Sequence, residues 1–414
     1  MFVPIRSCAP IREIIRLALC LLVACAVPAA AIAATFTVNS VADVLDANPG
    51  DGICRTSPSN TVCTLRAAIM EANAFAGADT INLQANATYV LTRVGQDATG
   101  LAGDLDVLDS VTIAGAGAAS TIIDGNGAVI GDRVIQIFAC IGNAPSCAGG
   151  VNVVVDISGV TFRNGASDGI YNRGALTLEN CSIVDNSGSG IYTNTGTVIV
   201  SGSTISGNHT DYGGGVFADS GTVSLVNTTI SGNFSDFNGG GIYVISATVG
   251  LYNVTIAANQ ANADGSGSGT GGGVYVVSTP LALANSIISS NEFIPDGGGD
   301  FHILDDCAGT LLSQGNNIVR FAIAARCTIS GPHSSDNPEL GALQNNGGQT
   351  MTHALQIGSP AIDGGNSSGC TDNFGATIET DQRGEQRPDG ASCDIGAFEY
   401  ANTIFRDGFE LQVL

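Results

Sequence analysis

Thr222-Val223-Ser224-Leu225-Val226-Asn227-Thr228-Thr229-Ile230-Ser231-Gly232-Asn233 is one phrase of a pattern that residues 151–293 state six times. With Ile230 as origin, the same step is filled by Phe162, Ile183, Ile205, Ile256 and Ile288. Seven residues before each origin stand Val155, Leu176, Val198, Val223, Val249 and Leu281, and five before it Ile157, Leu178, Val200, Leu225, Leu251 and Leu283. Two before it come Val160, Cys181, Ser203, Thr228, Val254 and Ser286. Period-two alternation on both sides of a one-residue break describes two short strands meeting at a bend. The break holds Gly159, Asn180, Gly202, Asn227, Asn253 and Asn285, residue types that accept a left-handed backbone.

Three residues after the origin runs a second column, Asn186, Asn208, Asn233, Asn259 and Asn291. A loop and a third short strand follow in the later copies, as in Ile191-Tyr192, Val216-Phe217, Ile242-Tyr243 and Val274-Tyr275. The origins step by 21, 22, 25, 26 and 32 residues, a tolerance that suits a solenoid with variable loops. Three strands per turn, no helical period between them and like residues in columns predict an all-β chain, a parallel β-helix whose coils rise by about 4.8 Å. A β-propeller would need four longer antiparallel strands per blade, and a leucine-rich repeat its own Leu/Asn spacing; neither fits.

The formal charge is −23, and all fourteen basic residues are arginine. Removal of a leader with three arginines and one glutamate takes it to −25, which excludes nucleic acid and anionic membranes as natural partners. The absence of lysine excludes Schiff-base chemistry. Residues 1–34 read as a signal peptide, with an apolar run from Ile14 to Ile32 and a small-x-small site at Ala31-Ile32-Ala33. Leu22-Val23-Ala24-Cys25 offers a competing lipobox reading. No other apolar run is long enough for a membrane helix, so the mature chain is expected to be secreted or on the outer cell surface. In an oxidising compartment four close pairs suggest themselves as disulfides: Cys54 with Cys63, Cys140 with Cys147, Cys307 with Cys327, and Cys370 with Cys393. Cys181 is left over in an inward column and reads as a buried, inert thiol.

Residues 35–78 form an N-terminal cap whose centre is the one good helix of the mature chain, opened by Thr64 and carrying Leu65, Ile69 and Ala72 on one face. An open solenoid end needs such a cover. Cys63-Thr64-Leu65-Arg66-Ala67-Ala68-Ile69, preceded by Asp51-Gly52-Ile53-Cys54 and followed by Glu71-Ala72-Asn73-Ala74, resembles the CSLREAI domain of secreted bacterial proteins, with Thr64 for the usual Ser and Ala67 for the usual Glu. The resemblance implies a right-handed β-helix of the pectin-lyase-like type. The β-helix is expected over 79–335, with regular coils over 151–293. Asn337-Pro338-Glu339-Leu340-Gly341, Gly358-Ser359-Pro360-Ala361-Ile362-Asp363, Asp381-Gln382-Arg383-Gly384 and Cys393-Asp394-Ile395-Gly396-Ala397-Phe398-Glu399 resemble the choice-of-anchor Q-type region of surface proteins. That resemblance covers 336–400 and implies a sorting function. The tail, 401–414, contains Ile404 to Glu410, which reads as a sorting motif or as an ordinary last strand.

Chemistry is expected on the edge where loops lengthen after the Asn column. His209, Asp211, Tyr212, Phe234, Asp236 and Phe237 combine rings with carboxylates, which suits sugar stacking and hydrogen bonding; a solvated polar edge without ligand is the plainer reading. A hydrolase would need paired carboxylates and a lyase a base beside a uronate-neutralising cation. Asp168, Asp185, Asp211, Asp219 and Asp236 read as falling at scattered offsets, and only Arg163 and Arg173 lie within the coils, so no catalytic residues are assigned. Calcium is a candidate cofactor at Asp43, Asp46 and Asp51, or at Asp104, Asp106 and Asp109, because hard oxygen ligands on turns suit it; the same residues are common turn caps. The expected function is a non-catalytic, adhesin-like or glycan-binding protein whose partner is extracellular polysaccharide or a host or cell-surface glycan. A calcium-assisted polysaccharide lyase or glycoside hydrolase is the alternative.

Overall fold

A computed structural model describes residues 33–138, 153–297, 299 and 301–401. The expected leader, the Cys140–Cys147 pair and the tail beyond 401 lie outside the described residues. The chain folds into a parallel β-helix whose strands form three sheets of sixteen, nine and five members, with a separate antiparallel pair near the C-terminus.

The aliphatic columns of the sequence are the columns of the core. Leu176 lies opposite Val155 and Val198, Val198 opposite Val223, and Val223 opposite Val249, all within the sixteen-stranded sheet. Across the bend, Phe162, Ile183, Ile205, Ile230, Ile256 and Ile288 pair in register through the nine-stranded sheet. All are buried, and each such side chain contributes about 1.5–3 kcal/mol. The bend residues take the left-handed conformation expected of them, with φ +62° at Gly159, +53° at Asn180, +43° at Asn227 and +56° at Asn253.

The second Asn column is a buried hydrogen-bonded ladder. The side-chain amide of Asn186 donates to Asn208 Oδ1 at 2.8 Å, Asn208 to Asn233 at 2.9 Å, Asn233 to Asn259 at 2.9 Å and Asn259 to Asn291 at 2.9 Å. Each oxygen also accepts the backbone N–H of the preceding Asn. Asp306 ends the ladder: one of its oxygens accepts both Asn291 donors and the other accepts Phe321 N–H. A carboxylate fits there because every contact it makes is with a donor.

Leu65–Ala74 is the capping helix, Thr64 Oγ1 accepting from Ala67 N–H and Leu65, Ile69 and Ala72 facing the core. Arg66 is buried and fixes the cap to the first coils. It pairs with Asp43 and donates to the carbonyls of Gly100, Gly103 and Asp104. The disulfides Cys54–Cys63, Cys307–Cys327 and Cys370–Cys393 are formed, and Cys181 is free and buried, its thiol pushed up to about 12 by desolvation.

Residues 337–400 lie along the outer face of the nine-stranded sheet. Outward hydroxyls of successive coils meet them: Thr204 donates to Met351 O, Thr229 to Gln382 Oε1, Ser231 bonds His353 Nε2 and Thr255 accepts from Ala397 N–H. Buried Arg387 pairs with Glu399 and donates to Asn227 Oδ1.

Candidate functional site

With one solenoid face covered, the loop edge is where the expected ligand-binding residues meet. His209–Thr210, Phe234–Ser235, Gln260–Ala261 and Glu292–Phe293 pair in parallel, and Ile303–Leu304 adds antiparallel to complete the five-stranded sheet, setting His209 opposite Phe234, Phe234 opposite Gln260 and Gln260 opposite Glu292. Ser235 and Phe293 face inward, and His209 and Phe234 face solvent.

His209 Nε2 lies 2.8 Å from Asp236 Oδ1, and its ring meets Phe234 edge-on at 6.0 Å. Tyr212 stacks on Phe237 at 5.0 Å and 19°. Phe234 and Phe237 are 37% and 40% exposed and belong to one coil. The structure thus gathers His209, Tyr212, Phe234, Asp236 and Phe237 from two coils, with exposed Asp211 on the same loop. The reading of scattered Asp offsets needs correction here. Asp168, Asp211 and Asp236 each stand six residues after their origins, and neighbouring backbone contacts, Asp236 N to Thr210 O and Phe237 N to Asp211 O, place the last two in adjoining coils.

Further along the edge, Asp264 accepts from the N–H and hydroxyl of Ser266, and the hydroxyl holds its carboxyl below the usual range. Glu292 Oε1 accepts from Gln260 Nε2 at 3.2 Å and lies 2.6 Å from His302 Nδ1.

A column of aromatic rings runs up the third strands. Tyr171, Tyr192, Phe217, Tyr243 and Tyr275 are cross-strand neighbours on the outside of the sixteen-stranded sheet. Tyr192 and Phe217 stack at 4.6 Å and 7°, and Tyr243 and Tyr275 at 5.4 Å and 25°. Tyr171 meets Tyr192, and Phe217 meets Tyr243, edge-on, so the rings pack chiefly on one another and the ladder is a stabilising device, each pair contributing about 0.5–1.5 kcal/mol. Tyr212, 5.0 Å from Tyr243, ties the exposed patch to it.

Arg133 lies 4.7 Å above the Tyr171 ring at the ladder's N-terminal end and faces Asp104, Asp132 and Asp168. Asp104, Asp106 and Asp168 are buried. Both oxygens of Asp104 and one of Asp106 have no protein donor. Burial, then the charges of Asp106 and Asp132, push Asp104 up to about 8 against the pull of Arg133 and Arg66. Burial takes Asp106 to about 7 and Asp168 to about 6.

Of the calcium candidates, Asp43 is paired with Arg66 and accepts Thr92 and Arg93 N–H. Asp46 accepts Asn48 and Arg55 N–H, and Asp51 accepts Ile53 N–H and pairs with Arg55. These oxygens are aimed at protein donors, and no three His, Cys, Asp or Glu side chains form a metal cage among the described residues.

The family described as right handed beta helix region matches residues 146–322, which gives the coil its hand. A crystal structure of pectate lyase Pel9A is similar with a TM-score of 0.49 and 14% identity, over 89% of this chain and 97% of that one. Comparison with curated protein sequences gives no match.

Proposed function

We propose that this is a secreted or cell-surface β-helix protein that binds polysaccharide, without cleaving it, along its loop edge, with residues 336–414 as the end that serves surface attachment. The observation that carries the reading is the pair of exposed rings, Phe234 and Phe237, flanked by the His209–Asp236 pair and by Asp211. Apolar rings beside fixed hydrogen-bonding groups are what a pyranose needs, its C–H face on a ring and its hydroxyls on carboxylates. Three disulfides suit an oxidising compartment, and no helix among the described residues is long and apolar enough to cross a membrane.

The test is retention of the protein on immobilised polysaccharides before and after Tyr212→Ala, Phe234→Ala and Phe237→Ala are combined. Loss of retention with unchanged melting supports the site, and unchanged retention removes it. A second reading, hydrolysis or lysis, is favoured by the carboxyls around Arg133, since a carboxyl that keeps its proton near neutrality can serve as a general acid. New reducing ends or unsaturated products that disappear with Asp168→Asn would replace the non-catalytic reading.

A further inference from the structure

The charge along the loop edge narrows the class of polysaccharide. No arginine or lysine occurs between Arg173 and Arg320. Among the described residues the basic side chains on this edge are His209, His302 and, over the Phe293 ring, Arg326, and each is already held by a carboxylate. Against them stand Asp211, Asp236, Asp264 and Glu292, one from each of four successive coils. A polyuronate laid here would meet like charge at every coil, which costs both affinity and encounter rate.

We infer that the chain bound at Phe234 and Phe237 is a β-1,4-linked amino-sugar polymer, its ammonium groups drawn to the row of carboxylates Asp211, Asp236, Asp264 and Glu292 along the coil axis. This rests on the glycan-binding reading above and adds the ligand's charge and linkage. The coil rise of about 4.8 Å is close to the advance of an extended β-1,4-linked pyranose chain per sugar; successive sugars of such a chain are turned over, so the amines on its one side meet the carboxylates of every second coil. An α-linked, coiled polymer lacks that match. The phenylalanines hold the sugar faces and the carboxylates select the charge, so each contribution can be removed separately.

Binding of the full chain to three short oligomers separates the possibilities: de-N-acetylated β-1,4-glucosamine with its amines protonated, its fully N-acetylated counterpart, and an oligogalacturonate without added calcium. The first is expected to bind at least about tenfold more tightly than the second, with strong salt dependence, and the third not at all. Phe234→Ala with Phe237→Ala should weaken the first about tenfold at unchanged net charge, and Asp211→Asn with Asp236→Asn should abolish its advantage over the acetylated form. Equal or tighter binding of the acetylated oligomer, or binding of the uronate, overturns the amino-sugar inference and leaves glycan binding standing. Silence with all three removes both. Unchanged binding by the phenylalanine variant shows general attraction to an acidic protein and overturns the site.

Discussion

Asn233 sits mid-ladder, fully buried, and its replacement by alanine offers the sharpest test of what holds the coils in register. Its Oδ1 accepts Asn208 N–H at 3.2 Å and the Asn208 side-chain amide at 2.9 Å, while its Nδ2 donates to Ile205 O at 3.0 Å and Asn259 Oδ1 at 2.9 Å. In Asn233→Ala the Asn208 amide still reaches Ile183 O, and Asn259 Oδ1 still accepts Asn233 N–H. Asn208 N–H and Ile205 O lose their ladder partners. Asn208 N–H is left unsatisfied, which costs about 1–3 kcal/mol, while Ile205 O, within the parallel sheet, loses one of two donors at about 1 kcal/mol, so the local loss is about 2–4 kcal/mol. Asn233→Asp keeps the acceptor role but sets a second acceptor against Ile205 O and Asn259 Oδ1. Its cost should therefore exceed that of alanine above the carboxyl's pKa and shrink on acidification, unlike Asp306, which meets only donors. Solenoids need not unfold in one step, so the assay is native-state hydrogen exchange resolved by coil. The opening free energy of amides in the coils around Ile205, Ile230 and Ile256 should fall by that amount while the N-terminal cap is unmoved. A change below about 1 kcal/mol, or one spread evenly over the molecule, would refute the ladder's role.

Two further outcomes follow from the same structure. Asp104 and Asp106 have folded pKa values raised to about 8 and about 7, so the stability they confer is complete below the unfolded value near 4 and is lost as pH rises through 7 to 8. Melting temperature should fall between pH 5 and pH 8.5, and Asp104→Asn should raise it at pH 8.5 and flatten the profile; an unaltered profile would count against the burial argument. Gln382 is buried under the C-terminal region and bonds Thr229, Thr204, Thr350 and Met351, so Gln382→Leu should cost about 2–4 kcal/mol and make residues 337–400 sensitive to limited proteolysis while the coils stay resistant.

What the sequence disclosed was whatever repeats in register. Val223 and Leu225 mark an inward strand, Asn227 a left-handed bend and Asn233 a ladder position because each meets its own equivalent one coil away, so local pattern and tertiary contact coincide. Thr64 and the Leu65, Ile69 and Ala72 face of the cap were legible for the simpler reason that caps and amphipathic faces are local. Contacts between unlike segments were not legible. Nothing around Thr204 announces Gln382, 178 positions away. Asp104 and Asp106 read as turn acids, yet burial leaves them short of donors, with Gly100 N–H on Asp106 and Arg66 on the backbone beside them. On the loop edge the residue types were legible and their arrangement was not. The common offset of Asp211 and Asp236 from their origins was legible, whereas the approach of His209 to Asp236 and of Tyr212 to Phe237 appears only once the coils are stacked.

The most direct measurement is hydrogen–deuterium exchange of the full chain with and without a saturating de-N-acetylated β-1,4-glucosamine oligomer. Slowed exchange confined to residues 209–212, 234–237 and 260–267 is the predicted result. Protection that falls instead around Arg133 and Asp168, or no protection anywhere on the loop edge, would contradict the account.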